Sequence, residues 1–232
     1  MILITRPKDR AKRISEILNK RNIPHHIDSL IKFRDIEKIK LEPFNDICLI
    51  SSTEGVHSLR RNNLIKDSIF NNCSLNIIGE QTANLLNELG VQNINKIFQD
   101  FKSFKKYIDD HHNSKKIDYL CSDIISDEAQ QQADEGKINK IVLYKTFAAE
   151  RFSDLTLELI ERNKLHSVLI YSKFTATTFR DIVQKHDLLK QARNLKYYCL
   201  SERIAQELQK SGFKDCQISS YPNQLSLLDL LN

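Results

Sequence analysis

Glycine and proline are scarce in this chain, with five and four among 232 residues, and tryptophan is absent. So few turn-formers leave no Gly/Ser-rich or Pro-rich linker, and no low-complexity segment breaks the pattern. Long hydrophobic runs are missing as well. A membrane-crossing helix needs about 18 or more apolar residues together, and no stretch supplies them. The opening "MILITRPKDR" passes from a short apolar stretch straight to charges, so no signal peptide is expected. The cysteines, Cys48, Cys73, Cys121, Cys199 and Cys216, are odd in number and form no C-x-x-C pair. They read as reduced thiols of a cytoplasmic protein.

Several site signatures are also missing. No G-x-G-x-x-G follows the first strand, no G-x-x-x-x-G-K-[ST] occurs, and there is no G-x-S-x-G elbow. His25-His26 and His111-His112 are direct neighbours, the wrong spacing for two ligands on one helix face. The expectation is therefore no metal and no cofactor, and chemistry done by positioning. The formal net charge is only +5. Basic residues gather in "RPKDRAKR" and "SLRRNN", but acidic residues are spread through the rest, without the aromatic interleaving of a nucleic-acid groove. No nucleic-acid partner is expected.

What is present is alternation. Short apolar runs ("ILIT" 2–5, "HHIDSLIKF" 25–33, "DICLISS" 46–52, "SLNIIG" 74–79) alternate with helical patterns. The first such pattern, 8–22, puts Ala11, Ile14, Ile17 and Leu18 on one face. Further helices are expected at 54–66, 80–90, 102–112 and 126–136. The second half continues with strands at 116–122, 140–147, 166–172, 196–201 and 216–220, and helices at 153–163, 176–186, 203–212 and 223–231. Apolar strands alternating with helices predict an α/β fold of parallel sheets covered by helices on both faces.

The chain also echoes itself. "CLISSTEGVHSL" (48–59) aligns with "VLIYSKFTATTF" (168–179), placing Ser52 on Ser172. "NIIGEQTANLLNELG" aligns with "YYCLSERIAQELQKSG", placing Gly79 on Ser201, Thr82 on Ile204, Ala83 on Ala205 and Gly90 on Gly212. The offsets are 120 and 122 residues in the same order, which predicts two similar α/β lobes.

In an open parallel sheet, ligands sit beyond the carboxyl ends of the strands. Here those ends read Thr5-Arg6, Ser51-Ser52-Thr53, Gly79-Glu80-Gln81-Thr82, Cys121-Ser122-Asp123, Ser172-Lys173 and Ser201-Glu202-Arg203. Each opens a helix whose free N–H groups favour anions. Any one Ser or Thr there is most simply an N-cap. The recurrence across both lobes is what predicts a cleft for a ligand with many negative groups.

These segments together resemble the uroporphyrinogen-III synthase family. The resemblance rests on "ILITRP", "LISSTEGV", "IIGEQTANLLNELG", "IVLYKT", "VLIYSKFTATTF" and "YYCLSERIAQELQKSGF" followed by "SYPNQLSLLDLL", and covers nearly the whole chain. It implies two lobes, each a parallel sheet flanked by helices, joined by a two-strand connector. Residues 1–35 plus 148–232 would form one lobe and 38–144 the other, with crossing segments near 32–38 and 143–149. The implied activity is that of a lyase. It closes the linear tetrapyrrole hydroxymethylbilane with loss of water and inversion of ring D to give uroporphyrinogen III, without a cofactor. The resemblance makes Tyr144 the catalytic candidate. Family hydroxyls map onto Ser52, Thr82 and Ser172. The corners add Arg6, Thr53, Gly79, Gln81, Lys173, Ser201 and Arg203 as substrate-binding candidates. Departures from the family pattern are Arg203-Ile204-Ala205 in place of a small-Thr-Ala turn, Ser201 in place of Gly, and Ser126 in place of a basic residue. The implied partners are the small-molecule substrate and, transiently, the preceding pathway enzyme, with the protein itself a monomer. The competing reading is a non-catalytic, two-lobed cytosolic binder of a polyanionic small molecule.

Overall fold

The computed structural model describes residues 1–39, 41, 44–65, 69–112, 115–221 and 223–231. The chain divides into two units, residues 1–32 with 147–232, and residues 33–146.

The first unit is built on β1 (Ile2–Ile4), β2 (His25–Ile27), β9 (Ser167–Ile170), β10 (Lys196–Cys199) and β11 (Cys216–Ile218). Among the described residues these form one sheet of order β11-β10-β9-β1-β2, parallel at every junction. The central strands are apolar throughout because both faces are covered. On β1, Ile2 and Ile4 pack against α1 (Lys8–Lys20) and α10 (Gln224–Asp229), whereas Leu3 points to the opposite core. That opposite face carries α6 (Asp154–Glu161), α7 (Lys173–Lys185), α8 (Leu189–Ala192) and α9 (Glu202–Gln209). Its centre is Phe179, fully buried, with ring centroids of Phe152, Tyr197 and Phe213 at 5.3, 5.7 and 6.1 Å.

The second unit contains β3 (Ile31–Asp35), β4 (Ile47–Ile50), β5 (Ser74–Ile78), β6 (Ile94–Phe98), β7 (Ile117–Ser122) and β8 (Ile138–Ala148), in the order β3-β8-β7-β4-β5-β6. From β8 through β6 every pairing is parallel. α2 (Thr53–Arg61) and α3 (Glu80–Glu88) cover the face lined by Cys48 and Ile50. α4 (Phe101–His111) and α5 (Asp127–Asp134) cover the face lined by Ile47 and Leu49. β3 and β8 run through the two boundaries between the units. Ile36 N–H donates to the Leu143 carbonyl on one side (2.9 Å) and Ala149 N–H to the Leu30 carbonyl on the other (3.0 Å).

Four expectations need correction. The stretch 25–33 is two strands, β2 and β3, which join different sheets. The break is pinned by Ser29, whose hydroxyl donates to the Ile31 carbonyl, and by Leu30 N–H, which donates to the Thr5 carbonyl. β6 was not expected at all. It is an edge strand, so only one side pairs, and its polar Asn95 and Lys96 hide the alternation. The helix expected over 54–66 stops at Arg61, where Asn63 turns left-handed with φ 55°; Lys66 lies outside the described residues. α8 follows a similar left-handed turn at Asp187 and is too short to show a period. The cysteines are all free thiols, with Cys48, Cys121 and Cys199 buried in strands. Among the described residues no helix is long and apolar enough to cross a membrane.

A guanidinium holds α2 to β3. Arg61 donates to both oxygens of Asp35 (2.6 and 2.8 Å) and to Glu54 (2.5 Å). These hydrogen bonds keep the Asp35 carboxyl below its usual range, against a smaller opposing effect of burial. A depressed carboxylate stabilises the fold above the unfolded-state pKa, and that stability is lost as pH falls through the folded-state value. The pair is partly exposed, so its worth is about 1 kcal/mol or less. Arg61→Ala should therefore lower the denaturation midpoint most near neutral pH. Urea titrations repeated below about pH 4 should find the gap to wild type narrowed. Phe179→Ala should cost far more, about 3–5 kcal/mol, because a cavity opens at the centre of the first unit. Equilibrium denaturation followed by circular dichroism measures it.

Candidate functional site

Parallel strands release their helices at one common edge of each sheet. In the first unit that edge holds Thr5-Arg6 after β1, Ser172-Lys173 after β9 and Ser201 to Arg203 after β10. Thr5 is buried, and its hydroxyl donates to the Leu169 carbonyl at 2.7 Å, so it ties two strands together. The Arg6 guanidinium lies 4.6 Å over the Tyr171 ring and donates to the Gln224 side-chain oxygen at 3.0 Å. Ser172 caps α7: its Oγ accepts from Thr175 N–H at 3.1 Å and pairs with Thr175 Oγ1 at 2.8 Å. Lys173 is exposed beside it. Ser201 is the N-cap residue of α9 but, unlike Ser172, makes no side-chain capping bond. Arg203 is exposed in the first turn of the same helix.

In the second unit, Ser52 caps α2, accepting from Gly55 N–H at 3.0 Å. Its Oγ also lies 2.9 Å from the Tyr144 hydroxyl. Thr53 opens the helix and is half-buried. Gly79 begins α3 with φ 87°. A side chain there would be strained, and its absence leaves the first N–H groups of the helix uncovered. Gln81 is exposed in that turn, whereas Thr82 is buried. Thr82 is therefore a packed residue under the corner, with its N–H donating to the Gly79 carbonyl at 3.0 Å.

Tyr144 reaches Ser52 because of an irregularity in β8. The β7–β8 register runs Cys121 with Val142, then Ser122 with Tyr144, skipping Leu143. The extra residue lets the neighbours Leu143 and Tyr144 pack into the same core, which a regular period of two forbids. The displaced Leu143 carbonyl accepts from Ile36 N–H at 2.9 Å and from the Ser58 hydroxyl at 3.0 Å. Phe33 meets the Tyr144 ring edge-on at 5.4 Å.

Three groups at these edges were not anticipated. Tyr119 hydroxyl pairs with Ser51 Oγ at 2.6 Å, and burial pushes its phenol up, so it stays protonated. Thr146 Oγ1 pairs with Ser122 Oγ at 2.7 Å, and Asp123 accepts from Ser122 and from Thr146 N–H. Tyr171 is a second phenol raised by burial, its hydroxyl without a hydrogen bond among the described residues. Strand adjacency was the missing signal. Tyr119 faces Ser51 only because Leu49 and Tyr119 are register partners. Among the described residues no group of three or more His, Cys, Asp or Glu is placed to hold a metal ion. Ser126 caps α5 through Ala129 N–H, a structural task.

A family model described as uroporphyrinogen-III synthase HemD matches residues 12–229. The chain belongs to the uroporphyrinogen-III synthase family. Solved structures agree on the fold. A uroporphyrinogen-III synthetase from Helicobacter pylori superposes with a TM-score of 0.66 at 17% identity, covering 99% of this chain and 97% of that one. A substituted uroporphyrinogen III synthase from the extremely thermophilic bacterium Thermus thermophilus gives 0.63 at 11% identity, covering 99% and 96%. No curated protein sequence matches. At such low identity the corner geometry, rather than residue identity, is the feature to compare within the synthase family.

Ser52→Ala and Ser172→Ala remove the same capping bond, so each should lower stability by about 1 kcal/mol. Only Ser52 touches Tyr144. If that contact serves the reaction, the two variants will match in thermal unfolding and part in kcat, with Ser52→Ala the slower.

Proposed function

We propose that this protein is a hydro-lyase that converts hydroxymethylbilane to uroporphyrinogen III, acting in the cytoplasm. The observation that carries this reading is the family match over residues 12–229. Family membership disfavours the alternative of a binder without catalysis. The substrate is a linear tetrapyrrole with carboxylates on its rings, and it suits edges made of helix N-termini and cations. In the first unit, Arg6, Lys173, Ser201 and Arg203 offer charge and hydroxyl donors. In the second unit, Thr53 opens α2, and the first turn of α3, left uncovered by Gly79, offers the backbone N–H groups of Glu80 and Gln81. Donors of this kind hold carboxylates and restrain the fold of a flexible chain, which is where selectivity arises. Unaided closure gives the uninverted isomer, and orientation must favour attack at the substituted carbon of ring D.

The hydroxyl that leaves must take a proton to depart as water. Tyr144 is the group we assign to donate a hydrogen bond to it. Its phenol O–H is the donor the step requires. Ser52, fixed by Gly55 N–H, holds the phenol in place at 2.9 Å.

The test is a coupled assay on freshly made hydroxymethylbilane, with the product oxidised and the type I and type III isomers separated. Wild type should give mostly type III. Tyr144→Phe should lower the rate of type III formation by about 100-fold, the lower range for general acid assistance. Type I alone, formed at the blank's rate by folded protein, would sink the reading. An unchanged Tyr144→Phe rate would remove Tyr144 from the chemistry but leave the reaction standing.

A further inference from the structure

The second unit has a cavity at the opposite edge of its sheet from the corners. Its volume is about 210 Å³. It opens where β7 and β8 begin, with the register partners Ile117 and Ile138 side by side in its floor. α4 completes the apolar lining with Phe101, Phe104 and Ile108, which share one helix face. β7 rises roughly 3.3 Å per residue, so its six residues place Ile117 in the floor about 16 Å from the carboxyl edge.

The rim is cationic. Lys105, Lys115, Lys116 and Lys137 line it, against the single carboxylate of Asp109. Two of these lysines are engaged: Lys105 pairs with Asp109, and Lys137 with Glu135 at 2.7 Å. Lys115 and Lys116 are exposed, and no ion pair is formed by either among the described residues. Their backbone is anchored, with Lys115 N–H donating to the His112 carbonyl and the Lys116 carbonyl accepting from Ile47 N–H. The backbone thus fixes where the two exposed lysine side chains begin, beside an apolar floor.

We propose that this cavity binds a small monocyclic aromatic carboxylate, its ring on Phe101, Phe104, Ile117 and Ile138 and its carboxylate at Lys115 and Lys116. Size sets the ring count: an apolar cavity of about 150 Å³ accepts benzene, so 210 Å³ accommodates one ring and a short side chain. Aromatic walls favour a ring through edge-to-face contact. The excess of lysine selects an anionic head. The site shares no residue with those assigned to the proposed reaction, although Phe101, at the start of α4, reaches back toward the carboxyl edge.

The probe is 3-phenylpropanoate, titrated into the intact protein by isothermal calorimetry and followed by saturation-transfer NMR. Saturable binding at one site is expected, with 3-phenylpropanamide at least tenfold weaker. The double variant Lys115→Glu/Lys116→Glu alters only exposed side chains. It should weaken 3-phenylpropanoate at least tenfold while thermal unfolding and isomer formation stay at wild-type levels. Absence of saturable binding would overturn the proposal, and so would equal affinity for the amide. Undiminished binding by the folded double variant would place the ligand elsewhere, such as the helix N-termini of the other edge, and would overturn it as well.

Discussion

Parallel pairing is the constraint on which the rest depends. A parallel strand cannot return by a hairpin, so, apart from β2, which passes straight to β3 of the other sheet, each one hands the chain to a helix. Every such hand-over in a given sheet falls on the same edge. Each sheet therefore gathers its helix N-termini, with their unsatisfied N–H groups, along one line. The gathering of free N–H donors at the corners follows from topology before any side chain is considered. Both-face burial of the strands follows from the same cause, and so do the alternating core assignments along β1 and β4.

Within that plan the corners are not equivalent. Ser172 is closed on itself by the cap to Thr175 N–H and the contact with Thr175 Oγ1. Ser52 makes the same cap but adds the Tyr144 hydroxyl. Gly79 contributes no side chain and so uncovers backbone. Ser201 caps nothing with its hydroxyl. Four versions of one strand-to-helix turn thus give a structural cap, a phenol support, a bare N–H nest and an available hydroxyl. The internal echo in the sequence concerns the turn. The chemistry comes from what each turn does differently.

The second unit is also polar in a larger sense. Its carboxyl edge is hydroxyl-rich, with Ser51, Ser52 and Thr53 beside Tyr119 and Tyr144. Its amino edge carries lysines over an apolar floor of phenylalanine and isoleucine. The ligands proposed for the two edges differ accordingly: dispersed carboxylates at the first, a ring with a single anionic head at the second.

The alternation of apolar runs and amphipathic helices was enough to establish an α/β fold of parallel sheets, because strands buried on both faces read as continuous apolar segments. Family membership was legible too, in the order and spacing of the corner motifs. β6 was not legible, since an edge strand need satisfy only one side and tolerates Asn95 and Lys96. Nor was the split of 25–33, where two strands joined by a buried Leu30 look like one apolar run. Candidate corner residues could be named from the sequence, but not their tasks. Thr82 is buried, and Ser172 is closed by its own cap. Tyr119 meets Ser51 through strand register, which a sequence does not carry. Tyr144 is the clearest case. Its type and position stand in the sequence, but one extra residue at Leu143 turns it onto the face where Ser52 waits. Only the pairing of β7 with β8 decides that, because a bulge exists relative to a neighbouring strand and has no meaning along a single chain.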